Sequence, residues 1–408
     1  MNLLIFEYVS GGGYANTKIS SSILSEGYSM LRSLISDCKA AGHNVTTLLD
    51  SRLKEFNPPN EADQIVSVSS PNEVDEKLRE LSSVADAVYV IAPESGQVLE
   101  KLVENIETSG GTSLNCEIGA IKRVSNKMKT YETLERMGLK VPETVLLGIH
   151  EKTGNIKRLT KELAYPMVFK PLDGVSCSGL SLVKDENKIA GAVKKVARES
   201  MSKQFIAQKL IRGKAASACV ISTGDKALSV TLNRQLVTLA SPDEESRYYG
   251  GVVPLDHSLE KEALRTAKRV VEGIGELKGY VGVDMILANE GPVVMEVNPR
   301  LTTSYVGLRR VVNFNPAEAI VDAAIRRKLP KNVQSRGYAF FSKVEVPSRR
   351  QIIAETYKVE DVISPPFPIE ENKSAYALLA TVSTSPKGAE SAFYRAKKRL
   401  LRLYGKGD

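Results

Sequence analysis

Tyr280-Val-Gly-Val-Asp-Met-Ile-Leu287 and Val293-Val-Met-Glu-Val-Asn-Pro-Arg300, joined through Ala288 and Asn289-Glu-Gly-Pro292, decide how this chain is read. Both runs are apolar and rich in β-branched residues, and the polar joint is a turn signal, so the segment predicts a β-hairpin. Asp284 interrupts the first run; Glu296 and Asn298 interrupt the second, two positions apart. Residues i and i+2 of a strand share a face, so Glu296 and Asn298 point the same way and pairing can bring Asp284 beside them. A lone acid in a strand is commonly just solvated. Three oxygen donors in otherwise apolar strands are harder to explain so, because a buried carboxylate is costly unless paired or bound to metal. Such donors suit Mg²⁺, with Mn²⁺ as an alternative, which takes few protein oxygens and leaves positions for phosphates. Arg300 adds a fixed cation two residues further on.

Working outward, 408 residues are enough for two or three domains. The formal charge of +8 and pI near 9.1 fit a nucleic-acid binder or an enzyme that attracts polyanionic ATP. The basic excess gathers partly in Arg395-Ala-Lys-Lys-Arg-Leu-Leu-Arg-Leu-Tyr-Gly-Lys406, which reads as one amphipathic helix with a solvated charged face. No zinc-finger spacing, helix-turn-helix or aromatic RNA-binding signature accompanies it, so no nucleic-acid partner is expected. Cys38, Cys116, Cys177 and Cys219 are dispersed, as are His43, His150 and His257, which argues against zinc. A chain this large gains little from disulfides, so reduced thiols and a cytoplasmic location are expected. No apolar run reaches the length of a membrane span. The opening Met1-Asn-Leu-Leu-Ile-Phe-Glu-Tyr8 reads as a strand and not a signal peptide.

The first hundred residues alternate strand and helix. Leu3–Tyr8 ends in the turn Ser10-Gly-Gly-Gly13; Leu24, Tyr28, Leu31, Ile35 and Cys38 then recur at helical spacing before Gly42. Val45–Leu49 and Ala87–Ala92 are further strands, which together imply a parallel sheet covered on both faces. Ligands gather at the C-terminal ends of such strands, where Gly11–Gly13 and Glu94 lie, although any tight turn uses glycines. Asp50 could touch a ribose, but a helix cap is the better reading. Asn126–Gly138 reads as a helix closed by glycine. Strands follow at Val141–Leu147, Tyr165–Pro171, Phe205–Ile211, Ala216–Ser222 and Ala227–Leu236, with helices at Ser258–Gly273 and Asn315–Arg327.

Gly174-Val-Ser-Cys-Ser-Gly179 can aim backbone N–H groups and the Ser176 and Ser178 hydroxyls at phosphate oxygens. It has the Gly-x-x-x-x-Gly frame, but Leu180 and Ser181 stand where a P-loop needs Lys and Ser/Thr, and it lies between strands. An ordinary hairpin turn is the competing reading. Lys170, in the apolar strand before it, needs a negative partner if buried. Lys127 alone is an unremarkable lysine. Gln208-Lys-Leu-Ile-Arg-Gly213 reads as a strand entering a turn that could offer backbone groups to an adenine edge.

The order Lys127, Lys170-Pro, glycine loop, Gln208…Gly213, Asp284, Glu296-Val-Asn-Pro-Arg300 resembles the ATP-grasp superfamily over residues 116–330. The resemblance implies an N-terminal pre-ATP-grasp α/β domain (1–115), central and C-terminal ATP-grasp subdomains (116–203 and 204–330), and a small α+β appendage (331–408). It implies that Lys127 and Lys170 hold ATP phosphates under the loop containing Gly174, Ser176, Ser178 and Gly179. Gln208, Lys209 and Leu210 would lie by the adenine, Asp284, Glu296 and Asn298 would carry the metal, and Arg300 would stabilise an acyl phosphate. Lys209, Arg212 and Lys214 stand where many members place a ribose-binding Glu. Leu232-Asn-Arg-Gln235, Tyr248-Tyr-Gly-Gly-Val-Val-Pro254 and Asn298-Pro-Arg-Leu-Thr-Thr-Ser-Tyr-Val-Gly307, with the opening Phe6-Glu-Tyr8 before Gly11–Gly13 and Glu26-Gly-Tyr-Ser-Met30, look like the tyramine–glutamate ligase group of methanofuran biosynthesis. Asn233 and Gln235 share a strand face and are expected to meet substrate together, with Thr302, Thr303, Ser304 and Glu94 nearby. Tyr8, Tyr14, Tyr28 and Tyr305 are candidates for an amine pocket. The implied chemistry joins a small-molecule carboxylate to an amine through an acyl phosphate, in a chain that could form a homodimer. A ligase for other amino acids or peptides, or a nucleotide-binding regulator without turnover, are the rival readings.

Overall fold

The computed structural model describes residues 1–172, 177–200, 202–370 and 373–405. The N-terminal strands β1 (Asn2–Glu7), β2 (Asn44–Asp50), β3 (Gln64–Val68) and β4 (Ala87–Ile91) form a parallel sheet in the order β3-β2-β1-β4. The chain reverses direction across the sheet between β1 and β4, and the crevice at such a reversal is where parallel sheets place ligands. Between β1 and β2 runs the helix Ser21–Ala40, whose stripe Leu24, Tyr28, Leu31, Ile35 and Cys38 is buried as its periodicity predicts. The same helix also buries Glu26 and Asp37. Asp50 caps the next helical turn, accepting from the Arg52 N–H at 2.9 Å.

A second, antiparallel sheet contains β5 (Thr144–Gly148), β6 (Met167–Pro171), β7 (Ser181–Val183) and β8 (Gln204–Lys209), ordered β5-β8-β6-β7. The helix Lys127–Arg136 leads into it, started by the Asn126 side chain accepting from the Lys129 N–H. The third sheet holds eight strands: β9 (Lys214–Gly224), β10 (Ala227–Thr238), β11 (Arg247–Val253), β12 (Leu277–Ala288), β13 (Gly291–Asn298), β14 (Tyr338–Pro347), β15 (Val362–Ser364) and β16 (Ser374–Ser383). Its order is β13-β12-β9-β10-β11-β14-β16-β15, so β12 and β13 form the hairpin at one edge. The turn is tighter than the sequence suggests, for Gly291 and Pro292 already belong to β13.

The last segment is built onto this sheet, because β14 pairs with β11 and carries β16 beside it. The basic helix Pro386–Leu403 covers that end with Ala389, Phe393, Ala396 and Leu400, leaving Arg395, Lys398 and Arg399 in solvent. Its predicted last residue, Lys406, lies outside the described residues. Among those residues no helix is long and apolar enough to cross a membrane, and the four cysteines are free thiols.

Candidate functional site

Asp284 and Glu296 are directly opposed across the β12–β13 pair, and Asn298 opposes Gly282. The hairpin thus assembles the three oxygen-bearing side chains as their spacing requires. Asn298 donates its amide N–H to Asp284 Oδ2 at 3.2 Å, and Gln235 Nε2 donates to Asp284 Oδ1 at 3.0 Å. Burial, then the neighbouring Glu296 charge, pushes the Asp284 carboxyl up to about 7. Burial would raise Glu296 as well, but Lys127 and Lys170 outweigh it and hold this carboxylate below its ordinary value. Lys127 Nζ lies 3.0 Å from Glu296 Oε1, on a side chain that is itself buried.

Two cavities meet at this wall. A cleft of about 330 Å³ lies between the four-stranded antiparallel sheet and the hairpin. It is lined by Lys127, Lys170, Ser178, Gln208, Lys209 and Leu210, together with Asp284 and Glu296. Lys170 Nζ is 3.0 Å from Tyr131 Oη, whose hydroxyl donates to the Met295 carbonyl at 2.7 Å. Burial lowers the Lys170 ammonium from its ordinary range against the pull of Glu296 and Asp284. Gln208 donates to Thr144 Oγ1 at 2.8 Å, while its own Oε1 is buried and finds no hydrogen-bond partner among the described residues. Lys209, more exposed, pairs with Glu143. Gly179 turns at a φ of +69° and gives its N–H to Glu199 Oε2 at 2.6 Å, with Ser178 Oγ on the same carboxylate at 3.3 Å. Gly174 and Ser176 lie outside the described residues.

The second cavity, about 230 Å³, is bounded by the C-terminal ends of β1 and β4, the helix Ser21–Ala40 and the residues after β13. Asp284, Glu296 and Gln235 line both cavities, so the hairpin carboxylates form their common wall. Arg300 faces this cavity with Thr302, Thr303 and Ser304. Its guanidinium is held by Glu94, with Nε 3.0 Å from Oε1 and Nη2 donating to Oε2 at 3.0 Å. Glu94 therefore braces Arg300 and is not part of the cavity lining described for β4, which is Ile91, Ala92 and Pro93. Thr302 bonds the Tyr280 hydroxyl at 3.0 Å, Thr303 donates to Glu26 Oε2 at 3.3 Å, and the Ser304 and Ser217 hydroxyls lie 3.3 Å apart.

The expectation for Asn233 needs correction. It is fully buried, gives its amide N–H to Cys219 Sγ at 3.1 Å, and lines neither cavity. The ladder is regular from Leu232 to Leu236, so Asn233 and Gln235 share a face as parity predicts, but Asn233 lies deeper, on Cys219, while Gln235 reaches Asp284. Of the tyrosines proposed for an amine pocket, Tyr14 lines the inner cavity and Tyr8 stacks edge-on to it at 5.3 Å. Tyr28 and Tyr305 are in the core, bonded to the Pro59 carbonyl and to Asp37. Sequence reasoning met Glu7, Glu26 and Tyr248 within motifs but gave them no role in this cavity, and it missed Tyr131 beside the cleft. A buried acid ending the apolar β1 run, and another within an apolar helix face, are the signals that could have found the first two.

The chain's resemblances agree with this arrangement. Residues 124–304 match the family model described as ATP-grasp domain, and residues 43–121 match the model of the pre-ATP-grasp domain. The chain carries an ATP-grasp domain preceded by a pre-ATP-grasp domain. It is 28% identical over 341 residues to tyramine–L-glutamate ligase of Methanocaldococcus jannaschii, covering 82% of this chain and 93% of that protein. A Saccharophagus degradans protein named "Probable alpha-L-glutamate ligase" is 28% identical over 58% of this chain and 74% of its own. Among solved structures, a biotin carboxylase–βγ-ATP complex from Campylobacter jejuni superposes with a TM-score of 0.71 at 16% identity, covering 97% of this chain and 90% of that one. This ATP-grasp protein is an ATP-dependent C–N ligase.

Proposed function

We propose that this ATP-grasp ligase joins the γ-carboxyl of L-glutamate to the amine of tyramine through an acyl phosphate. The observation that carries the reading is the shared wall: Asp284 and Glu296 face a lysine-lined cleft on one side and an Arg300-containing cavity on the other. A phosphoryl group can pass across such a wall only between ligands held in the two spaces. The names of the relatives supply glutamate twice and tyramine once.

In this reading the cleft takes ATP. Lys127 and Lys170 neutralise phosphate charge, Ser178 and the Gly179 turn flank the phosphates, and the unsatisfied Gln208 Oε1 accepts from the adenine amino group. The all-oxygen set of Asp284, Glu296 and Asn298 fits a magnesium ion, and a carboxyl raised to about 7 beside a second carboxylate is what a cation would relieve. Such an ion supplies Lewis-acid polarisation of phosphoryl oxygens.

A γ-carboxylate oxygen attacks the γ-phosphorus, the bond to the β–γ bridging oxygen breaks, and ADP leaves. The amine nitrogen then attacks the acyl carbon; phosphate departs as the nitrogen loses its proton. Arg300, fixed by Glu94, stabilises the developing oxyanion. Thr302, Thr303, Ser304 and Gln235 shape the carboxylate end, while Tyr14 and Tyr248 offer ring surfaces to the aromatic amine. Water must be kept from the acyl phosphate once it forms. ADP release across a panel of amino acids, with and without tyramine, tests the reading. Release that needs both glutamate and tyramine supports it; dependence on a different pair rejects it.

A further inference from the structure

Four carboxylates line the inner cavity among the described residues: Glu7, Glu26, Asp284 and Glu296. Asp284 and Glu296 belong to the shared wall. Glu7 is spent on its own loop, accepting from the Val9 N–H at 3.0 Å, the Ser10 N–H at 2.7 Å and the Ser10 hydroxyl at 2.6 Å. Glu26 is different. Among the described residues its Oε1 meets Lys343 Nζ at 2.5 Å and its Oε2 receives only the long 3.3 Å bond from Thr303. An ionised carboxylate can accept about four hydrogen bonds, so Glu26 retains capacity toward the cavity.

Lys343 is placed just as unusually. Its side chain is 9% exposed and that of Glu26 8%, so this is a buried ion pair. Beyond Glu26, its ammonium donates to Ser22 Oγ at 2.7 Å and sits 5.8 Å from the Tyr248 ring centre. Three ammonium hydrogens thus serve two hydrogen-bond partners among the described residues. Glu26 lines both the inner cavity and a wider adjoining cleft of about 670 Å³, which Lys343 also lines. The pair stands where the two spaces join. Neither residue falls within the segments 43–121 and 124–304 that match the ATP-grasp and pre-ATP-grasp models.

We infer that Glu26 and Lys343 form the handle for the α-amino-acid end of the carboxylate substrate, Glu26 taking the α-ammonium and Lys343 the α-carboxylate. Side-by-side opposite charges of fixed order complement a zwitterion, and desolvated charged groups reject analogues that leave one of them unpaired. Thr303 ties Glu26 to the segment that follows Arg300, so the handle is registered against the reacting end. A free α-amino acid is therefore read at both ends, its side-chain carboxyl at Arg300 and its backbone groups at the handle. This inference rests on the amino-acid ligase reading above, with the choice of glutamate separable from it.

The test compares L-glutamate with glutarate, which lacks the ammonium, and with 4-aminobutyrate, which lacks the α-carboxylate, by ADP release with ATP and tyramine. Wild-type enzyme should favour glutamate over each by about tenfold or more in kcat/KM. Glu26→Gln should lose the preference over glutarate while keeping the one over 4-aminobutyrate, and Lys343→Met the reverse, with ATP affinity within about twofold of wild type in both. Variants that bind ATP normally yet retain both preferences overturn the handle. Should a single variant fail to bind ATP, the charge-free pair Glu26→Gln with Lys343→Gln replaces it; loss of both preferences supports the handle and their retention overturns it. Should glutamate give no ADP in the wild type, calorimetric binding of the other free amino acids and their deaminated analogues decides. An amino acid whose binding needs Glu26 supports the handle while removing glutamate; no binding of any free α-amino acid overturns it.

Discussion

Lys127 Nζ and Glu296 Oε1 lie 3.0 Å apart, linking the first turn of the helix Lys127–Arg136 to the metal-type hairpin. One carboxylate thereby serves two neighbours, the lysine on the cleft side and Asp284 across the strand pair. Glu296→Gln keeps the volume and removes the charge that balances Lys127 and Lys170. ADP release should fall about 100-fold or more, while the thermal midpoint stays close to wild type. Near-normal turnover in a folded Glu296→Gln enzyme would place the phosphoryl chemistry elsewhere.

Tyr131 holds Lys170 from below, with Oη at 3.0 Å from the ammonium and 2.7 Å from the Met295 carbonyl. Tyr131→Phe removes both bonds and leaves the ring under the lysine. One lost hydrogen bond of this kind is worth about 1 kcal/mol, so the KM for ATP should rise by about fivefold. The KM for the amine should not move, which steady-state kinetics with each substrate varied will show.

Gly27 packs directly on Glu7 in the wall of the inner cavity, and a Cβ there would stand 2.6 Å from both carboxylate oxygens. Those oxygens cannot swing away without giving up the Val9 and Ser10 bonds. Gly27→Ala should therefore displace the helix Ser21–Ala40, costing about 1–3 kcal/mol of stability in denaturant titrations. The KM for the carboxylate substrate should rise with it, and ATP affinity should be spared.

Asp284 accepts from Asn298 and Gln235 and carries a carboxyl pushed up to about 7. If a divalent ion is held there, EDTA should abolish ADP release and added Mg²⁺ restore it. Asp284→Asn should raise the Mg²⁺ needed for half-maximal activity by about tenfold or more. Metal titrations of the purified enzyme measure both.

The hairpin was legible because strand parity is a strict rule and because Asp284, Glu296 and Asn298 are polar where everything around them is apolar. Parity also held for Asn233 and Gln235, but it says nothing of depth along the strand, and Asn233 is buried against Cys219. Glu26 stands in a motif the sequence offers, but its role was hidden for a different reason. Its partner Lys343 comes from β14, 317 residues further along the chain, and no local pattern pairs the two. The order of strands in the large sheet was equally out of reach, because β14 joins β11 across more than eighty intervening residues and no local pattern encodes that pairing. Local chemistry was readable; partners brought from far along the chain were not.

Arg300 and Glu94 offer the sharpest separation of binding from chemistry. The guanidinium is gripped by both carboxylate oxygens and also donates from Nη1 to the Leu301 carbonyl at 3.2 Å. Burial alone would lower its pKa, but Glu94 reverses the sign, so the charge is secure. Arg300→Lys keeps a cation while losing the planar fork that fits two oxygens at once. Turnover should drop about 100-fold or more, with ATP affinity by equilibrium binding close to wild type. Glu94→Gln keeps Arg300 charged but loosens its hold, so kcat should fall by about tenfold, less than in Arg300→Lys. Equal losses in the two variants would mean that Glu94 does more than position its partner; an unchanged kcat in Arg300→Lys would remove Arg300 from the reacting centre.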